Sequence, residues 1–112
     1  MVVGWSELEH AEPELRRAHG PFRPGLGYSL VEPIFRLFAE AVPLHGRRDE
    51  EKLARYHRSR DALALELFDG EGRRIPTSAI HIVDYSNDGN AGRELDVLIP
   101  DDAYWARRSP LR

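Results

Sequence analysis

Two apolar runs separated by a polar, glycine-containing loop, within residues 78–102, constrain the fold of this chain more than any other segment. The first run covers residues 77–83, and the second covers 94–99 and is followed by Pro100. Asn, Asp and Gly at 87–90 are turn-forming residues, and a proline at the end of a run stops regular strand pairing. The pattern therefore predicts two antiparallel strands joined by this loop.

A third strand is predicted just before these two. Leu63, Leu65 and Leu67 stand at alternate positions, as they do on one face of a strand, and Asp69-Gly70-Glu71-Gly72 follows as a hairpin turn. The C-terminal half is therefore predicted to be a three-stranded antiparallel meander.

The main helix is predicted at residues 30–42, where apolar residues recur at positions 30, 34, 37, 38 and 41. Its apolar stripe is wide enough for burial on two sides or for use at a subunit interface. Asp49 and the acidic residues after it predict an exposed helix at 49–57.

Two short helices are predicted nearer the start of the chain, at 7–11 and 13–19. Residues 6–9 match a capping box, Ser-Glu-Leu-Glu, and Pro13 favours the first turn of a new helix. The predicted fold class is α+β, with N-terminal helices packed on a C-terminal three-stranded antiparallel β-meander, in a single domain of residues 1–112.

Negative charge is concentrated in residues 61–106, which contain ten acidic and three basic residues, although the whole chain carries a net charge of only −3. Dense negative charge attracts basic partners and repels nucleic acid. We therefore expect a small protein-interaction module that binds a basic protein, as immunity proteins, antitoxins or adaptors do, and nucleic-acid binding is not favoured. The predicted binding residues are Asp69, Glu71, Asp88, Glu94, Asp96, Asp101 and Asp102.

Two alternative functions remain open from the sequence. A small hydrolase or nuclease could use His81 as a general base with Tyr85 and a nearby carboxylate such as Asp84. A serine hydrolase triad is excluded, because Ser78 and Asp84 would point away from His81 on a regular strand. The other alternative is a structural homodimer formed through the helix at 30–42.

The sequence also suggests two hypotheses for ion-binding sites. Asp84, Ser86 and Asp88 place oxygen atoms at alternate positions before a glycine, which suits calcium, but the glutamate expected at the end of an EF-hand loop is missing. Near the start of the main helix, Arg23, Gly25, Gly27 and Ser29 could hold an anion on arginine and backbone amides. The five histidines, at 10, 19, 45, 57 and 81, lack metal-ligand spacing, so only tertiary proximity could assemble a zinc site.

Composition narrows the environment and the cofactor chemistry. The chain has no cysteine, which excludes disulfides and thiolate catalysis and fits a reducing compartment. No apolar run is long enough to cross a bilayer. We expect a cytoplasmic protein that has no membrane contact and no cofactor other than a possible calcium ion.

Overall fold

Short strands occupy the N-terminal part of the chain, and two long helices and a second group of strands follow them. The computed structural model describes residues 2–43, 46–84 and 92–108. A 3-10 turn at Pro13–Leu15 joins the second and third strands. In chain order the elements are β1 (Gly4–Trp5), β2 (His10–Glu12), β3 (Arg17–Pro21), β4 (Arg23–Pro24), α1 (Tyr28–Ala41), α2 (Glu50–Leu63), β5 (Leu67–Phe68), β6 (Arg74–Ile75), β7 (Ala79–Asp84), β8 (Arg93–Leu98) and α3 (Asp102–Arg107).

The largest sheet has four antiparallel strands in the order β2-β3-β8-β7. In its register, His19 on β3 lies opposite Asp96 on β8, and Asp96 lies opposite His81 on β7. Two further ribbons, β1–β4 and β5–β6, have two strands each. The α+β class is confirmed within the described residues, whereas the three-stranded meander is wrong, because β5 and β6 pair only with each other and β8 pairs with N-terminal β3.

The predicted short helices at 7–11 and 13–19 are also wrong. The Ser6 hydroxyl accepts a hydrogen bond from the nearby Leu8 amide at 3.1 Å, and Leu8 has a φ of 47°, which is incompatible with a right-handed helix. Ala18 is fully buried on β3 opposite Val97. Pairing of β2 with β3, and of β3 with the distant strand β8, therefore outweighs the local helix signals. In addition, the helices are not all N-terminal, since α3 lies near the other end of the chain.

The helix predicted at 30–42 is confirmed as α1, but its buried face differs from the prediction. Val31 and Phe35 are buried and Leu30 is 71% exposed, so the core face is turned by one residue from the predicted stripe. Gly27 occupies the N-cap position, and no side chain caps this helix. One end of α1 is therefore left with an apolar side chain in solvent.

The predicted helix at 49–57 is confirmed and is longer than expected. The Asp49 carboxylate accepts from the Lys52 amide at 3.0 Å, and α2 continues to Leu63. Ala64 ends it in the left-handed conformation with a φ of 50°. The strand predicted from Leu63 therefore begins later, at Leu67.

One core joins these elements into a single domain. Its largest fully buried side chains come from α1, α2, β7, β8 and the residue just after β8. No helix among the described residues has the length and apolarity required to span a membrane. These largest fully buried side chains are Phe35, Tyr56, Ile82, Val97 and Ile99.

Candidate functional site

The acidic residues predicted to form a binding surface are spread over several elements, and most have a cationic neighbour. Asp96 on β8 is 2.7 Å from Arg17 on β3, and Asp102 at the start of α3 is 2.6 Å from Arg16. These arginines come from the N-terminal part of the chain, so counting charge along the sequence could not locate them. Of the remaining residues, Asp69 and Glu71 pair with Arg73, and Glu94 lies 3.3 Å from His19. Asp101 caps α3 by accepting a hydrogen bond from the Ala103 amide. Asp88 lies outside the described residues.

His81 lies in an aromatic niche formed by the two long helices. Its Nδ1 is hydrogen-bonded to the Tyr56 hydroxyl, and the Phe38 ring stands edge-on with its centroid 4.3 Å away. Burial lowers the pKa of His81 to about 4, so the ring is neutral at pH 7. A neutral imidazole can donate or accept at Nδ1, so this hydrogen bond engages one ring nitrogen in either tautomer. A general base needs a pKa near the working pH, and the low pKa of His81 disfavours that role.

Asp84 and His81 both belong to β7, where residues three positions apart point to opposite faces of the strand. The Asp84 carboxylate accepts from the Tyr28 hydroxyl at 2.6 Å and from Arg93 Nε at 3.0 Å, and only 1% of its side chain is exposed. Burial and the Asp84 carboxylate raise the pKa of Tyr28 well above its usual value. Asp84 therefore links the start of α1 to strands β7 and β8. The other predicted members of the catalytic and calcium sites, Tyr85, Ser86 and Asp88, lie outside the described residues.

The predicted anion site has little free backbone. The Gly25 amide donates to the Val3 carbonyl at 2.7 Å, and the Gly27 amide donates to the Val2 carbonyl at 2.9 Å. Arg23 and Glu7 approach each other at 4.0 Å. An anion would therefore have to rely mainly on Arg23 and Ser29.

The same backbone hydrogen bonds bring together a surface that the sequence did not predict. They fix residues 2–3 beside the turn at 25–27, and the Trp5 ring lies over Gly25, where a Cβ atom would be 3.3 Å from the ring. The side chains around this turn are unusually exposed for apolar residues. We call this the N-terminal apolar patch, and its members and exposures are Val2 (54%), Trp5 (53%), Leu26 (94%) and Leu30 (71%).

The sequence contained a weak signal for this patch. Leu26 and Leu30 are apolar residues four positions apart, one before and one after the start of α1. The sequence pattern places Leu30 in the core stripe, because the hydrophobic period does not show which side of a wide stripe faces solvent. Trp5 and Val2 join the patch only through pairing of β1 with β4, which the sequence did not predict.

Two shallow surface hollows, of about 160 and 380 Å³, are lined neither by His81 nor by residues of the patch. The smaller hollow is between the end of α2 and the start of β7, with Arg60 and Ser78 in its wall. The larger is between the β5–β6 ribbon and α3, with Ile75 and Tyr104 in its wall. Neither hollow includes His81 or Asp84, so neither supplies a cleft for the predicted catalytic residues.

Comparisons with known proteins give no match to this chain. No protein-family model matches it, and neither does any curated protein or any solved structure. What can be inferred about its function therefore comes from its own contacts, burial and charges.

Proposed function

We propose that this protein is a binding module that contacts a partner protein through the N-terminal apolar patch. The observation that supports this most is the gathering of Val2, Trp5, Leu26 and Leu30 around one turn with more than half of each residue exposed. Exposed apolar side chains that gather in one region of a surface can mark an interaction site. Tryptophan is also enriched among residues that dominate binding energy.

Rigid support for the patch favours the proposal. Gly4 packs against the Phe22 ring so closely that a Cβ there would collide with it, and Phe22 is itself buried. The hydrogen bonds of Gly25 and Gly27 hold the turn from the other side. A surface that is ordered before binding loses less conformational entropy when a partner docks.

The energy available from the two leucines is substantial. Burying one leucine side chain completely contributes about 1.5–3 kcal/mol. Because Leu26 and Leu30 are 94% and 71% exposed, a partner that covered both would gain about 3–5 kcal/mol before the costs of association. Before those costs, this corresponds to about two to three and a half orders of magnitude in the dissociation constant, at about 1.4 kcal/mol for each factor of ten.

The partner in this proposal presents apolar side chains at the centre of the contact. A basic partner remains part of the proposal because the chain has a net charge of −3, but the affinity is assigned to the patch. Most of the described acidic side chains that were expected to supply affinity already have cationic neighbours, as Asp96 has in Arg17. A cytoplasmic location is part of the same proposal, supported by the cysteine-free composition.

Affinity capture with two matched variants tests this function. The immobilised chain is exposed to extract of its native host, and recovered proteins are quantified by mass spectrometry. Leu26→Asp combined with Leu30→Asp is expected to lower recovery of a specific partner at least tenfold, because the charges would have to be buried at the contact. Leu15→Asp is the control, since Leu15 is 64% exposed but lies in the 3-10 turn outside the patch.

Equal recovery by the patch variant and the wild type would contradict the proposal. Light scattering on the purified chain tests the homodimer alternative at the same time. A dimer that dissociates in the patch variant would identify the partner as a second copy of the chain. A dimer that persists in the patch variant would place its interface elsewhere, for example on the part of the 30–42 helix beyond Leu30.

A further inference from the structure

Two of the five histidines become neighbours through strand pairing. His10 on β2 lies directly opposite His19 on β3, and their ring centroids are 5.1 Å apart with an angle of 30° between the ring planes. Directly opposite residues share one face of a sheet, so both rings project from the same side. His10 is exposed on the edge strand, whereas only 20% of the His19 side chain is exposed.

His19 is held in an orientation that suits a metal ligand. Its Nδ1 is buried, makes no well-aligned hydrogen bond in the described part of the chain, and lies 3.3 Å from the Glu94 carboxylate on β8. Histidines that bind metal commonly direct the other ring nitrogen at a carboxylate, which fixes the tautomer and makes the ligand nitrogen more basic. In the tautomer that carries the proton on Nδ1, facing Glu94, the lone pair of His19 would be on Nε2.

We propose that His10 and His19 form a two-histidine site for a divalent transition metal ion, with Glu94 positioning the His19 ring. Imidazole nitrogen suits Zn²⁺, Ni²⁺ and Cu²⁺. A tetrahedral zinc ion with bonds of about 2.0–2.1 Å holds two ligand nitrogens roughly 3.4 Å apart. With ring centroids 5.1 Å apart, the two histidines would reach this separation if their side chains rotated to turn one nitrogen of each ring towards a shared ion.

The neighbouring carboxylates explain why the site has only two protein ligands. Asp96 is next to His19 in the register, but Arg17 holds it through hydrogen bonds of 2.7, 2.9 and 3.1 Å. The same arginine holds Glu12 at 2.8 Å. Within the described ranges no group of three or more His, Asp or Glu side chains is placed to hold an ion, so water completes the coordination. This site is independent of the N-terminal apolar patch.

Metal titration of the full chain, without a polyhistidine tag and after treatment with a chelator, tests the proposal. Calorimetry with Ni²⁺ and Zn²⁺ is expected to give one ion per chain, and the spectrum of bound Cu²⁺ in electron paramagnetic resonance is expected to show two imidazole nitrogens. His10→Ala and His19→Ala should each weaken binding at least tenfold. Glu94→Gln should weaken it about tenfold, since outer-shell carboxylates typically contribute 10–100-fold.

His57→Ala is the matched control, because His57 is exposed on α2 and should leave binding unchanged. Loss of binding in this variant would overturn the proposal, as would wild-type binding no tighter than that of a chain lacking both His10 and His19. His10 is on an exposed edge strand, so its variant is expected to fold normally, which circular dichroism can check. If His19→Ala unfolds, His10→Ala and Glu94→Gln still decide the question.

Discussion

Replacing Asp84 by asparagine should destabilise the protein strongly, because this carboxylate is the buried link between α1 and the main sheet. Asparagine keeps the shape of the side chain and removes its charge. The Tyr28 hydroxyl, 2.6 Å away, and Arg93 Nε, 3.0 Å away, would then face a weaker acceptor. Arg93 would keep its contact with a second carboxylate, that of Glu32, at 3.5 Å.

The expected loss in the free energy of unfolding is about 3 kcal/mol. Breaking a buried ion pair by removing one partner typically costs 3–5 kcal/mol. The lower end applies because the Arg93 side chain is 27% exposed and keeps a second carboxylate. An unfolding entropy of about 2.1 cal/mol/K per residue gives roughly 0.24 kcal/mol/K for 112 residues, so Tm should fall by about 13 °C.

Urea denaturation and thermal melts of four variants provide the assay. Tyr28→Phe alone should cost about 2 kcal/mol, since it removes a hydrogen bond to a charged group. The double variant with Asp84→Asn should cost less than the sum of the two, because both changes remove one interaction. Asp102→Asn is the control: its pair with Arg16 is 84% exposed on the aspartate side, and its loss should cost less than about 1 kcal/mol. A cost below about 1 kcal/mol for Asp84→Asn, or full additivity with Tyr28→Phe, would refute this reasoning.

Two further predictions concern the interior of the domain. Burial lowers the pKa of His81 to about 4 from a usual 6.5, so the unfolded chain takes up the proton first as the pH falls. The stabilising contribution of neutral His81 is therefore fully present above about pH 6.5, and the free energy of unfolding should fall by up to about 3 kcal/mol towards pH 4. Urea titrations at several pH values should show that the free energy of unfolding of His81→Leu depends less on pH. Equal pH dependence in both proteins would contradict this. Phe35→Ala should lower the free energy of unfolding by about 3–5 kcal/mol, because Phe35 is fully buried. Leu26→Ala should change it by less than about 0.5 kcal/mol. Equal losses of stability for both variants, measured by urea denaturation, would show that Leu26 belongs to the core.

Local patterns predicted the parts of the fold that depend on local interactions. The helices α1 and α2 follow from hydrophobic period and from the Asp49 cap, and the β5–β6 turn follows from Asp69, which accepts from the Arg73 amide at 2.9 Å. The N-terminal strands could not be predicted in this way. Arg17–Pro21 is a strand because it pairs with β8, about 80 residues later in the chain, and this contact leaves no local trace in the sequence.

The candidate sites show the same division between local and distant information. His81 was correctly placed on a strand, but its aromatic cover comes from Phe38 and Tyr56 on two other elements. The charge excess of residues 61–106 was counted correctly, yet Arg16 and Arg17 approach it only in the folded chain. The proximity of histidines on β2 and β3 likewise required the register of the sheet.

Photo-crosslinking at the centre of the N-terminal apolar patch tests the proposed function most directly. A photoreactive residue placed at Leu26, which is 94% exposed, should give one discrete adduct with a partner protein in host extract, and excess unmodified chain should suppress it. The same residue at Leu15, outside the patch, should not give that adduct. Absence of a specific adduct at position 26, or the same adduct from both positions, would contradict the account.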